Sequence, residues 1–190
     1  MVIIMELENT IKNRRSIRKY LDKEVDEKIL FQAIEMGTKA PSAHNRQPWK
    51  FKILTKEEKN KIADTLYDKT CNIVGHTGPH TAGVMKDIPS LIMVFIDNDV
   101  SENRDMDIIS IGACIENIIL YLTSIDLGTL WIANTNLISD EIKTILNVPY
   151  ETISCIGVGY KNQDPHERPR KNMEEVIIRS EKNEWYAIFW

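Results

Sequence analysis

Five residues near the start of the chain, Arg14-Arg15-Ser16-Ile17-Arg18, place three guanidinium groups and a hydroxyl close together, with Lys12 and Lys19 on either side. An arginine fork meets phosphate oxygens two at a time and a serine adds a short donor, so a phosphate monoester dianion is a natural occupant. A short basic run taken alone reads equally well as a solvated face. Two other groups give this one direction. The first is Ala40-Pro41-Ser42-Ala43-His44-Asn45-Arg46-Gln47-Pro48-Trp49, a polar loop in which two prolines fix φ and remove backbone donors. The second is a late cationic group, Lys161, Arg168, Arg170 and Lys171.

The totals narrow the chemistry. The 190 residues carry a net charge of −4, which argues against general nucleic-acid binding, and the local concentration of cations favours capture of a small anion. Cys71, Cys114 and Cys155 form no CxxC pair, which places the chain in a reducing compartment. Met1 to Glu6 lacks the basic region of a signal peptide, and Glu116 and Asn117 interrupt the longest apolar stretch. A cytoplasmic protein without a membrane span is expected. Cys71, His76 and His80 have borderline metal spacing but no fourth ligand, so no metal is expected. No P-loop, GxGxxG or nucleophile elbow occurs, and no catalytic side chain is assigned.

The elements that must position these groups follow from periodicity. Leu7 and Ile11 suit one short helix leading into the arginines. Asp26 caps a helix over 26–40, and Thr55-Lys56-Glu57-Glu58 is a capping box for a helix through Tyr67. Strands are expected over 49–54, 90–97, 129–133 and 152–160, with Gly128 as the turn into the third and a strand-like run at Val176-Ile177-Ile178. Residues 68–87, rich in glycine, read as an irregular, lid-like segment. Ser139 caps a short helix over 140–146. The longest helix, 105–125, is apolar around most of its circumference, so it needs a second cover, and a homodimer packed through it is expected, with Gly112-Ala113 allowing close approach. Trp131 reads as packing in the core or beside a ligand. The apolar end, Trp185 to Trp190, is expected to dock on the body or on the partner. Helices and strands mix without strict alternation, which points to an α+β, three-layer α-β-α sandwich in one domain over 1–190.

In order and content, RRSIR at 14–18, APSAHNRQPW at 40–49, the Asp107 to Asn117 spacing, LGTLWIA at 127–133 and GVGY…RPRKNMEEV over 157–176 resemble the nitroreductase family of FMN-dependent NAD(P)H oxidoreductases. The resemblance implies a mixed, mainly antiparallel sheet with the C-terminal segment wrapping onto the partner subunit. It implies that Arg14, Ser16, Arg168 and Arg170 hold the FMN phosphate, with the backbone of Arg15 nearby and Arg18 at the pyrimidine edge or ribityl chain. Pro41, Ser42, Ala43, Asn45 and Gln47 would come from the other subunit, and the backbone at Ala133 and Asn134 would face the flavin N5 region. NADH or NADPH would be the reductant and a nitroaromatic, quinone or free flavin the acceptor, in ping-pong turnover. A non-catalytic flavin-binding or redox-responsive module, and a flavin-fragmenting or reductive dehalogenating relative, are the alternatives on this fold.

Overall fold

The run Leu91-Ile92-Met93-Val94-Phe95-Ile96, apolar at every position, is buried throughout and forms an inner strand. The computed structural model describes residues 6–178. In chain order its elements are α1 (Leu7–Asn13), α2 (Glu27–Gly37), β1 (Trp49–Ile53), α3 (Lys56–Thr70), α4 (Gly78–Asp87), β2 (Ser90–Ile96), α5 (Arg104–Ser124), β3 (Leu127–Ile132), α6 (Ser139–Leu146), β4 (Glu151–Tyr160) and α7 (Met173–Val176), with 3₁₀ turns at Ala43–Asn45 and Asn134–Ile138. The strands form one sheet in the order β1-β2-β4-β3, with every neighbouring pair antiparallel. Among the described residues, the parallel part of the expected mixed sheet is a single bridge, Ser16 to Thr129.

Alternation along β2 divides the core in two. Ile92, Val94 and Ile96 face α2 and α5. Leu91, Met93 and Phe95 face the opposite way, toward α3, α4 and α6. The molecule is therefore the expected α-β-α sandwich. In its length and apolarity α5 could cross a membrane, but half of its most apolar window is buried in the fold. Ile111, Ile115, Ile118 and Leu122 put it in the core, and Gly37 of α2 lets Ile118 approach to where a Cβ would stand 2.5 Å away. Burial pushes the Cys114 thiol up to about 12 and raises that of Cys155 as well, so both stay protonated and inert.

The structure departs from the sequence reading at several points. The segment 68–87 is irregular only over 71–77: α3 runs on to Thr70, and α4 begins with Pro79 in its first turn and buries Ala82 and Met85. The run Val176-Ile177-Ile178 makes no strand: Val176 ends the helix α7, and Ile177 and the exposed Ile178 follow it without regular structure. Ser139 lies inside α6 and does not cap it; its Oγ accepts a hydrogen bond from Thr152 N at 2.9 Å. The turn before β3 is made by Asp126 at φ 68°, with Gly128 already in the strand. The expected docking of Trp185–Trp190 lies outside the described residues.

Gly128 has a different task. After α1 the chain runs extended beside β3, where Ile17 N donates to Thr129 O at 2.9 Å and Leu21 N donates to Tyr160 O at 2.9 Å. Ile17 turns inward and is 2 % exposed. A Cβ on Gly128 would meet Ile17 Cβ at 3.0 Å and its Cγ2 at 2.9 Å. Glycine is thus what allows the arginine segment to lie this close to the sheet. Gly128→Ala should cost about 1–3 kcal/mol in urea unfolding through overpacking, whereas at an unobstructed strand position the same change would stabilise.

Candidate functional site

With Ile17 buried, alternation turns Ser16 and Arg18 to the other side of the extended segment. Arg15 is committed locally: its Nη1 donates to Lys12 O at 2.6 Å and to Arg14 O at 2.9 Å, and its Nη2 lies 3.7 Å from Glu167. It therefore closes the carbonyl end of α1, where a cation is favoured. Arg14 Nε sits 3.7 Å from Glu116 of α5, an ion pair without a hydrogen bond. Arg18 makes one long bond, from Nη1 to Ser16 O at 3.3 Å, and no ion pair among the described residues. The Arg15–Glu167 pair brings the late segment back against the early one. Arg168 and Arg170, next along, are exposed.

Arg18 forms one wall of a cleft of about 360 Å³ between α4 and the end of β3, where Trp131, Ala133 and Asn134 also line it. Trp131 is not a core residue: it is 43 % exposed, and its indole lies over Gly112 of α5. His80, Thr81 and Val84 present the α4 side of the cleft. Thr77 and Thr81 escaped sequence reasoning, because two threonines four apart carry no signal until the helix containing them is recognised.

The loop at 41–47 is built elsewhere on α5. His44, Asn45 and Gln47 adopt φ of 52°, 56° and 50°, a left-handed backbone that side chains resist and that concentrates where function demands it. Ser42 Oγ accepts from Gln47 N at 3.0 Å, and Ala43 N donates to Ser110 Oγ at 3.4 Å. Arg46 clamps the loop down. Its Nε and Nη2 donate to Asp107 Oδ1 at 3.2 and 3.0 Å, while Ser101 Oγ donates to Oδ2 at 2.8 Å. Burial alone pushes the Asp107 carboxyl up, but the hydrogen bonds from Ser101 and Arg46, with the Arg46 charge, outweigh it and hold its pKa below the ordinary value. Asp107 stood out in the sequence only by its spacing to Asn117. Its partner, 61 residues earlier, did not.

The sequence-derived site thus falls into two groups. Arg18, Ala133 and Asn134 line the cleft, Ser16 lies on the β3 edge beside it, and Arg14 and Arg15 precede it at the end of α1. Pro41, Ser42, Ala43, Asn45 and Gln47 sit by the N-terminal half of α5. No hydrogen bond or ion pair among the described residues joins the two groups. Leu7 and Ile11 on α1, with Met106 and Ile109 on α5, leave apolar side chains exposed on helices that pack on each other.

Arg46→Ala should strand a buried carboxylate and cost about 3–5 kcal/mol. Because the folded pKa of Asp107 is depressed, its contribution is complete above about pH 5 and fades as pH falls through the folded value. Urea midpoints between pH 3 and 7 should show the gap between parent and variant narrowing as pH falls, because protonating Asp107 removes stability from the parent and relieves the stranded charge in the variant.

Comparison with known proteins bears on this arrangement. Residues 11–160 match the model of the Nitroreductase family. A Methanothermobacter thermautotrophicus protein named "Putative NADH dehydrogenase/NAD(P)H nitroreductase" is 28% identical over 169 residues, covering 86% of this chain and 82% of that one. A Desulfovibrio desulfuricans crystal structure, described as a "putative nitroreductase in complex with fmn", superposes with a TM-score of 0.80 at 21% identity over 93% of this chain and 98% of that one. A BluB-like flavoprotein from Clostridium difficile 630 has a TM-score of 0.78 at 21% identity, over 93% of this chain and 100% of that one. An extended basic segment sewn to the sheet edge, an arginine-walled cleft and a family match across most of the length together assign the chain: it belongs to the nitroreductase family.

Proposed function

We propose that this protein is an FMN-dependent oxidoreductase that takes hydride from NADH or NADPH and passes reducing equivalents to a small flat acceptor, a nitroaromatic, quinone or free flavin, in ping-pong turnover. The observation that carries the reading is Arg18, a guanidinium with no carboxylate partner among the described residues, set in the wall of a cleft beside an exposed indole. An unpaired cation next to a flat apolar surface fits an anionic, planar ligand. The names of the relatives, which mention NAD(P)H and FMN, support the same reading.

FMN, when bound, supplies the two-electron chemistry. The chain's own residues bind and orient. Arg14 and Ser16, joined by Arg168 and Arg170 from the tail, hold the phosphate, and Arg15 fixes the segment that presents them. Arg18 sets a positive charge at the pyrimidine edge or ribityl chain, and the backbone at Ala133 and Asn134 faces the N5 region. Trp131 supplies an apolar wall that thins the water around the ring. Pro41, Ser42, Ala43, Asn45 and Gln47 come from a second copy, so the site completes in a homodimer. Two features support this: among the described residues no hydrogen bond or ion pair joins the loop to the cleft, and Met106 and Ile109 leave an apolar face on α5. We place the enzyme in the reducing cytoplasm, in keeping with the buried free thiols of Cys114 and Cys155.

Purified protein should be yellow and dimeric, bleached anaerobically by NADH or NADPH and recoloured by a quinone or nitroaromatic. A yellow protein indifferent to both nucleotides would instead be a flavin-binding module. Arg14→Ala should weaken FMN binding by ~1.5–3 kcal/mol in a fluorescence titration, through loss of a charge-assisted contact. Arg170→Ala should shed flavin on a desalting column, and full retention there would remove Arg170 from the phosphate site.

A further inference from the structure

Arg18 also lines a second, larger hollow of about 820 Å³, bounded by the chain that follows it, the start of α3 and the end of α4. The Thr55 capping box starts α3, so Lys56 is its first residue and Lys59 stands three further on, on the same face. Lys59 is 7 % exposed, and its Nζ donates to Lys86 O at 3.1 Å and to Ile88 O at 2.5 Å, where α4 ends. Those carbonyls use two of its three N–H groups. It makes no ion pair among the described residues, and a buried charge without a counter-ion is costly. Burial and the charge of Lys56 lower its pKa from the ordinary value, with Asp87 only partly opposing them.

The surroundings carry the same sign. Lys19 and Lys56, both exposed, make no side-chain hydrogen bond or ion pair among the described residues. Lys23 and Lys86 also line the hollow but are engaged, one over the Tyr160 ring and the other with Asp64. Asp22, Glu24 and Asp87 are there too, so cations outnumber acids six to three in a chain whose net charge is −4. A local excess of this kind attracts an anion.

We propose that this hollow takes the 2′-phosphate of NADPH, with Lys59 as its buried anchor and Lys19 and Lys56 closing on it from the rim. The inference rests on the reading of the protein as a nicotinamide-nucleotide oxidoreductase, and it chooses between the two nucleotides. Arg18 is a wall of both the hollow and the flavin cleft, so one extended dinucleotide can reach from the ring to the lysines. NADH carries a hydroxyl where NADPH carries the dianion, and it leaves the Lys59 charge uncompensated. Lysine meets phosphate as a point charge, which suits a group approached from several sides.

Calorimetric titration of the flavin-loaded protein with adenosine 2′,5′-bisphosphate and with 5′-AMP reads the phosphate site without turnover. The parent should bind the bisphosphate at least about tenfold more tightly, and Lys19→Gln with Lys56→Gln should cut that preference at least about fivefold. The ratio of kcat/KM for NADPH to that for NADH should follow the same pattern. Lys56→Arg, which keeps the charge, should match the parent in both measurements. Lys59→Met keeps an unbranched stem and should abolish the preference; if it does not fold, the exposed pair decides alone. Equal affinity of the parent for the two adenosine phosphates overturns the site, and so does a preference that survives intact in the double variant. A flavin bleached by neither NADH nor NADPH overturns the oxidoreductase reading and the assignment to NADPH with it, while the titration still judges the hollow as an anion site.

Discussion

The hydrogen bond from Ile17 N to Thr129 O, with the Ile17 side chain sunk against Gly128, is the constraint on which the rest depends. Three arginines in five residues repel one another, and only Arg15 is held by local hydrogen bonds. Pairing their backbone with the edge strand fixes the rest. Once Ile17 is buried, the two-residue period of an extended chain sends Ser16 and Arg18 the other way. Tyr20 then bridges Lys161, and Arg15 holds Glu167, so the end of β4 and the chain beyond it are drawn to the same edge. The early basic segment and the chain just beyond β4 thus meet at one edge of the sheet.

The helix α5 organises what lies on either side of that edge. Its N-terminal half carries Asp107 and Ser110, which hold the left-handed loop, and its middle carries Gly112 under the Trp131 indole and Glu116 beside Arg14. Six residues of helix, about 9 Å, separate Ser110 from Glu116. One rigid element therefore sets the spacing between both groups of the site while keeping them apart in a single chain. In the homodimer proposed above, a second copy of the same helix, packed through its exposed apolar face, would bring one chain's loop to the other's cleft. The buried Arg46–Asp107 pair fits this arrangement, since a loop offered to a partner has to hold its shape before the partner arrives.

Much of this was legible in the residues. The unbroken apolar run at 91–96 made β2, and the Thr55–Glu58 capping box is present with both of its hydrogen bonds. Asp26 caps α2 through Lys28 N, as its position suggested. The family could be recognised because its two most specific motifs are local in sequence. What escaped was non-local or masked by composition. In α4, glycine, proline and histidine hid the three-residue spacing of Ala82 and Met85, and burial against α3 overrode weak propensity. Arg46 looked like any polar loop residue, because only the fold brings Asp107 to it. Ser139 lost its expected cap role because the 3₁₀ turn before it feeds directly into α6. Gly128 signalled a turn when its use is to make room.

The central claim is that the sewn arginine segment exists to hold a phosphate dianion, and the most direct measurement compares two ligands differing only in that group. Titration of flavin-free protein with FMN and with riboflavin should give an affinity for FMN at least about a hundredfold greater, as several charge-assisted contacts are lost with the phosphate. Equal affinities for the two would contradict the account, because the guanidiniums at the sheet edge would then have no anion to hold.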